Sequence, residues 1–164
     1  ILYSLTKIVP AREVYSSVEW PVIILLASVI PLGAALESNG TTELIVQVLT
    51  KYALTMEPWL IIAILMIVTM TLSDILNNTA TTLVIAPISI QLAQTLNLNV
   101  DTFLMAVAIS ASCAFLTPIG HKNNTIILGP GGYRFGDYWR MGILLEVLII
   151  SSSIPLLLFF WPIN

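Results

Sequence analysis

Charge is what this sequence has least of. Only 9% of its 164 residues are Asp, Glu, Lys or Arg, where a soluble domain carries about 25%. With 57% hydrophobic residues and a mean hydropathy of +0.95, the composition is that of a membrane protein. The few basic residues form no stripe, so nucleic acid is not an expected partner. A single cysteine, Cys113, excludes an internal disulfide and a multi-cysteine metal centre; between small residues it reads as packing. The chain opens Ile-Leu-Tyr-Ser, without an initiator Met or a basic leader. No signal peptide is expected, and the chain reads as a piece of a longer protein. Missing too are a His/Glu metal motif and a nucleophile with a nearby base, so an enzyme is not expected. Asp74 with His121 is the one acid–base pair that can be assembled.

What is there is a series of apolar runs. Residues 1–19, with Lys7, Arg12, Glu13 and Glu19 around Pro10, suit an interfacial segment. Residues 20–36 are uncharged, close to the roughly 20 residues a span requires, and Trp20 is placed as an interface anchor. Asn39-Gly40 ends that first span. Residues 41–54 then set Leu44, Ile45, Val48 and Leu49 at helical spacing, an amphipathic helix along the interface. Apolar runs at 58–72 and 83–96 flank the polar stretch Ser73–Thr82, which makes a helical hairpin over about residues 58–96. The run 102–116 is apolar and rich in small residues; Pro118 and Gly120 break it at membrane depth, so a discontinuous helix is expected over about 102–130. The glycines of 129–136 lack the order of a phosphate loop and read as a tight connector. Residues 133–140 form a polar, aromatic connection and 141–161 a final span. The fold class is therefore all-α and integral to the membrane, one domain over residues 1–164. Because a hairpin returns to the side it entered from, Lys7, Arg12, Arg134 and Arg140 share one side and Lys51 takes the other. The positive-inside rule makes the first group cytoplasmic and puts the C-terminus outside. Parity is the same whether the hairpin tip stops at midplane or crosses.

The triplet Asn77-Asn78-Thr79 recurs as Asn123-Asn124-Thr125. Asn and Thr are good N-caps, so each triplet is expected to start a helix inside the membrane. First-turn amides suit an anion. The carbonyls left where the preceding helix ends suit a sodium ion. The competing reading is interhelical glue, which a lone Asn favours and two matched triplets at helix breaks do not. Asp74 is an acid near membrane depth, which reads either as functional or as a structural partner of Lys122 or a backbone amide. Lys122 either neutralises an anion or snorkels to the cytoplasmic face, with snorkelling ahead. His121 reads as hydrogen-bonded structure ahead of a proton relay.

Together these residues carry a resemblance. Ser73-Asp-Ile-Leu-Asn-Asn-Thr-Ala-Thr-Thr82, then Ile109-Ser-Ala-Ser-Cys-Ala-Phe-Leu-Thr-Pro-Ile-Gly-His121, then Gly131-Gly-Tyr-Arg-Phe-Gly-Asp-Tyr138, resembles the C-terminal repeat of the divalent-anion/sodium symporter family, within the ion transporter superfamily. It covers nearly the whole chain from about Trp20. The resemblance implies two inverted repeats, each with a re-entrant hairpin and a discontinuous helix. It implies that Asn78 and Thr79 sit at the hairpin tip against substrate and sodium, with backbone from Ala114 to Gly120 completing the sodium site. Asn77 stands where the family usually has serine.

The expected substrate contacts are then Asn77, Asn78, Thr79, Thr117, Pro118, Asn124 and Thr125. Those for sodium are Asp74, Asn78, Thr79, Ala114, Thr117 and Gly120, with His121 and Lys122 as candidates for a charge role. The expected protein is a multi-pass secondary transporter of the inner (plasma) membrane. It would move a dicarboxylate or sulfate with sodium by alternating access. Sodium is the coupling ion and no other cofactor is expected. The other repeat and a second copy in a homodimer are the expected protein partners. The alternatives are a proton-coupled antiporter or metalloid-oxyanion permease, in which Asp74 and His121 titrate, and a membrane scaffold that transports nothing.

Overall fold

The structure, a computed structural model, describes residues 38–163 and scattered positions between Ile23 and Ala35. Apart from those positions, the segment 1–19 and the span 20–36, with Lys7 and Arg12, lie outside the described residues. Among the described residues the chain is helical and has no strand. From residue 41 on, the described helices are α1 (Thr41–Ala53), α2 (Pro58–Ile75), α3 (Asn78–Thr95), α4 (Val100–Ala111), α5 (Lys122–Leu128) and α6 (Tyr138–Phe160), with a 3₁₀ turn at Phe135–Asp137 before α6.

Local chemistry sets several of these ends. Pro58 opens α2, where its missing N–H would have had no partner. Leu76 and Asn77 are extended, and the Asn77 side chain accepts from the Ala80 amide at 2.8 Å, capping α3. α3 ends on Asn97, which takes a left-handed conformation (φ 54°); its amide donates to the Gln94 carbonyl and that of Leu98 to Ala93, closing the last turn. Two residues later Asn99 caps α4 by accepting from Asp101.

α4 stops at Ala111, short of the end of its apolar run at Leu116. The Ser112 hydroxyl and the Cys113 thiol donate to the carbonyls of Ala108 and Ile109, while the amides of Ser112 and Cys113 bond three residues back instead of four. Side chains that compete for the carbonyls and a tightened last turn end the helix before proline is reached. α6 starts at Tyr138, three residues ahead of the expected 141, because Asp137 receives the Arg134 amide at 2.8 Å and organises the turn that leads into it.

α4 lies centrally and packs on α2, α3 and α6. Its Phe103, Ala106 and Val107 are buried against Ile62, Met66 and Met70 of α2, Leu92 and Ala93 of α3, and Leu157 of α6. Ser89, Ala93, Ala106, Ser110 and Ala111 are small, which lets the backbones approach closely. The two ends of this unit are tied: the Asn99 amide and side chain donate to the carbonyls of Ile163 and Pro162, and Thr102 donates to that of Trp161. Two segments, Pro58–Ile75 and Phe135–Phe160, are long and apolar enough to cross a membrane. On the second, Leu144, Leu148, Phe159 and Phe160 stand exposed, a surface that suits hydrocarbon.

Candidate functional site

Three pieces of chain meet at one point: the last turn of α2, the first turn of α3, and the non-helical segment 112–121 between α4 and α5. Ser73 is fully buried and its hydroxyl donates to the Ala111 carbonyl at 2.6 Å. The Asn78 side chain satisfies its contacts when its nitrogen faces the Ser73 hydroxyl (2.9 Å), the Ala111 carbonyl (3.1 Å) and the Gly120 carbonyl (3.3 Å). One amide thus bridges the end of α4 to the far side of the break.

Asp74 holds the middle of the break. Its Oδ1 accepts from the amides of Leu116 (2.9 Å) and Thr117 (3.3 Å), and its backbone carbonyl accepts from the Thr117 hydroxyl at 2.7 Å. The Thr117 hydroxyl in turn accepts from the Gly120 amide. Gly120 sits so close that a Cβ there would lie 2.8 Å from that of Ala114 and 3.0 Å from the Cα of Asp74. From the other side, the Asn124 amide donates to the carbonyls of Ala114 (3.0 Å) and Thr117 (3.2 Å), and the Thr125 hydroxyl to that of Pro118 at 2.6 Å. Backbone that has left the helix inside an apolar protein needs such partners, and these side chains supply them.

The structure therefore brings together Asp74, Asn78, Ala114, Thr117, Pro118, Gly120, Asn124 and Thr125. Thr79 is half-buried in the first turn of α3 beside them, whereas Asn77 is exposed and turned to its own helix. The second triplet does not cap α5. His121 does, its Nδ1 accepting from the Asn123 amide at 3.2 Å, so the helix begins two residues earlier than the triplet suggests. The cause is that Asn124 and Thr125 are held by break carbonyls. Lys122 is exposed in the first turn of α5.

Reading the sequence missed three residues. Ser73 carries no signal that separates it from other serines. Gly142 abuts the break, where a Cβ would meet the Phe115 carbonyl at 2.5 Å. Glu146, one turn further along α6, lies against Asp74 and the Phe115 backbone, and its signal, an acid inside an apolar span, was legible. An open pocket of about 260 Å³ beyond Phe115 is lined by Asn124, Asp137, Tyr138 and apolar side chains, a lining with no positive group to hold an anion.

The sequence matches a model of the citrate transporter family over residues 1–88 and 52–163. It is 41% identical over 145 residues to an uncharacterized transporter of Synechocystis sp., covering 88% of this chain and 24% of that one. To an uncharacterized transporter of Escherichia coli it is 30% identical over 156 residues, 95% of this chain and 26% of the other. A sodium-dependent dicarboxylate transporter of Staphylococcus saprophyticus matches at 26% over 150 residues, 92% of this chain and 29% of its own length. The chain spans about a quarter of the length of these curated relatives.

Proposed function

The chain belongs to the citrate transporter family, and on that premise we propose that it forms one repeat of a sodium-coupled secondary transporter for a small di- or tricarboxylate or sulfate. In this reading α2 and α3 are a re-entrant hairpin, and α4, the break and α5 are a discontinuous helix. The observation that carries it is the Asn78 amide, which joins the hairpin turn to the Ala111 and Gly120 carbonyls of the break.

Carbonyls gathered at a break suit a sodium ion, and the amides of Asn78 and Thr79 at the start of α3, ahead of the Ala80 amide that Asn77 caps, suit a carboxylate or sulfate oxygen. Sodium binding would order the turn and the break together, and the anion would then meet a site already assembled. That difference in free energy couples the two ligands, and repositioning the site across the bilayer moves both. The name of the Staphylococcus relative supports sodium and a dicarboxylate. The other repeat would complete the ligand set, in a multi-pass protein of the plasma membrane that pairs as a homodimer.

The test is uptake of labelled citrate, succinate and sulfate into proteoliposomes containing the full-length transporter, with sodium or choline outside. Sodium-dependent uptake is expected. Asn78→Ala should lower it by about tenfold or more, as loss of a buried polar contact does, while the protein still assembles. Equal uptake in choline would overturn sodium coupling; an unimpaired variant would overturn the site.

A further inference from the structure

α5 is the least self-supporting element around the break. It has seven residues, Lys122–Leu128, and buries none of them; a helix that short does not hold its shape or its place by propensity alone. Hydrogen bonds have to place it. At its start the Asn124 side chain donates to the carbonyls of Ala114 (3.0 Å) and Thr117 (3.2 Å), so a shift of α5 is a shift of those two carbonyls. On its other side α5 is tied to α6, where the Tyr138 hydroxyl donates to the Asn124 backbone carbonyl at 2.8 Å.

Tyr138 and Gly142 are four residues apart and share one face of α6. Gly142 lies against the Phe115 carbonyl, on the near side of the break, and Tyr138 holds Asn124 on the far side. One helix face thus sets the register of both sides. The connector in turn braces the tyrosine. α5 leads into a Schellman turn in which Gly132 takes a left-handed conformation (φ 65°), its amide donating to the Gly129 carbonyl and that of Tyr133 to Leu128, both at 3.1 Å. The turn folds the Tyr133 ring over Gly131, where an added Cβ would run into it. It also sets that ring edge-on to Tyr138, with centroids 6.0 Å apart and planes at 62°.

On the sodium reading proposed above, we infer that Tyr138 is a positioning residue for the sodium site: its hydroxyl, through Asn124, sets the spacing of the Ala114 and Thr117 carbonyls and with it the affinity for the ion. Groups that hold a metal's ligands in place tune its binding without touching it. Without the hydroxyl, the half-buried Asn124 carbonyl faces the pocket of about 260 Å³ that Asn124, Tyr133 and Tyr138 help to line. Water entering there would satisfy the carbonyl but would not tie it to α6, so the hydrogen bond can be replaced and the register cannot.

Thermal unfolding of the purified full-length transporter, titrated with sodium against choline at constant ionic strength, separates fold from site. The melting temperature in choline alone reports the fold, and the sodium concentration giving half of the stabilisation reports the site. Tyr138→Phe removes only the hydroxyl and should raise that half-point about threefold to tenfold, as loss of one hydrogen bond does. Tyr133→Phe keeps the ring contact and should match the native half-point. A lower melting temperature in choline with an unchanged half-point would make the Tyr138 hydroxyl structural only and overturn its positioning role. So would an equal rise in Tyr133→Phe, which would mean that any change in the connector loosens the site. Should Tyr138→Phe fail to assemble, Tyr133→Ala removes the brace and leaves the hydroxyl; the same rise is expected, and an unchanged half-point overturns the role. A native protein that sodium does not stabilise would sink the sodium reading and this role with it, whereas a native response that Tyr138→Phe leaves intact would sink the role alone.

Discussion

Gly120, read from the sequence as a helix breaker, and Gly129, read as part of a tight connector, differ sharply in what surrounds them. Gly120 lies under the end of α2, where an added Cβ meets Ala114 and the Asp74 backbone, while Gly129 has nothing within 4 Å. Gly120→Ala should thus push the break off α2 and destabilise the protein by about 1–3 kcal/mol, with transport falling alongside. Gly129→Ala should melt within about 0.5 kcal/mol of the native protein. Thermal unfolding of the purified transporter compares them, and an unchanged Gly120→Ala would show that the break tolerates displacement. As a helix breaker Gly120 was legible in the sequence; the close approach was not, since it depends on where α2 arrives. The same distinction separates Asn77 from Asn78. The cap made by Asn77 is local chemistry, readable from one residue and its helix. Asn78 acts through Ser73 and Ala111, and nothing in the sequence announces that Ala111 ends its helix there.

At the scale of elements, length decides what each helix can do. At about 1.5 Å per residue, α2 is roughly 27 Å long, α4 roughly 18 Å and α6 roughly 35 Å, against a hydrocarbon core of about 30 Å. α4 is too short to cross alone; in the proposed reading the break and α5 extend it. Apolar runs made the helices legible, because burial in lipid or protein rewards the same residues. The ends were less so: α4 stops early through Ser112 and Cys113, and α6 starts early through Asp137. The tie at the other end of α4 is testable. Thr102→Val leaves the part-buried Trp161 carbonyl without its donor, at a cost of about 1 kcal/mol. If the tie holds the 161–163 segment in place, amide exchange at Asn99, whose N–H bonds Ile163, should accelerate several-fold. Mass spectrometry of the peptide spanning Asn99 reads this, and native protection in the variant would show that the tie is incidental.

For the whole molecule, the tie also fixes which ends lie together. Asn99 joins the start of α4 to the end of α6, and the antiparallel α2 and α3 put the connection from α1, with Lys51, at that same end. Arg134 and Arg140 precede the body of α6 and so lie at the opposite end. Basic residues near short connections favour the cytoplasm, so the proposed reading expects the 129–137 connector inside and the C-terminal residues outside. Single cysteines at Gly136, Lys51 and Pro162, all exposed positions, can be introduced into a full-length background cleared of reactive thiols; Cys113 is 7% exposed and should stay silent. A membrane-impermeant maleimide added to intact cells should label Lys51→Cys and Pro162→Cys, and should reach Gly136→Cys only after the membrane is opened. The reverse pattern would invert the repeat. That would turn the α2–α3 turn toward the other face and reverse the side from which sodium and anion first meet Asn78. Labelling of all three from outside would mean that Lys51 and the connector do not lie on opposite faces, and the discontinuous-helix reading of α4 and α5 would fall with it.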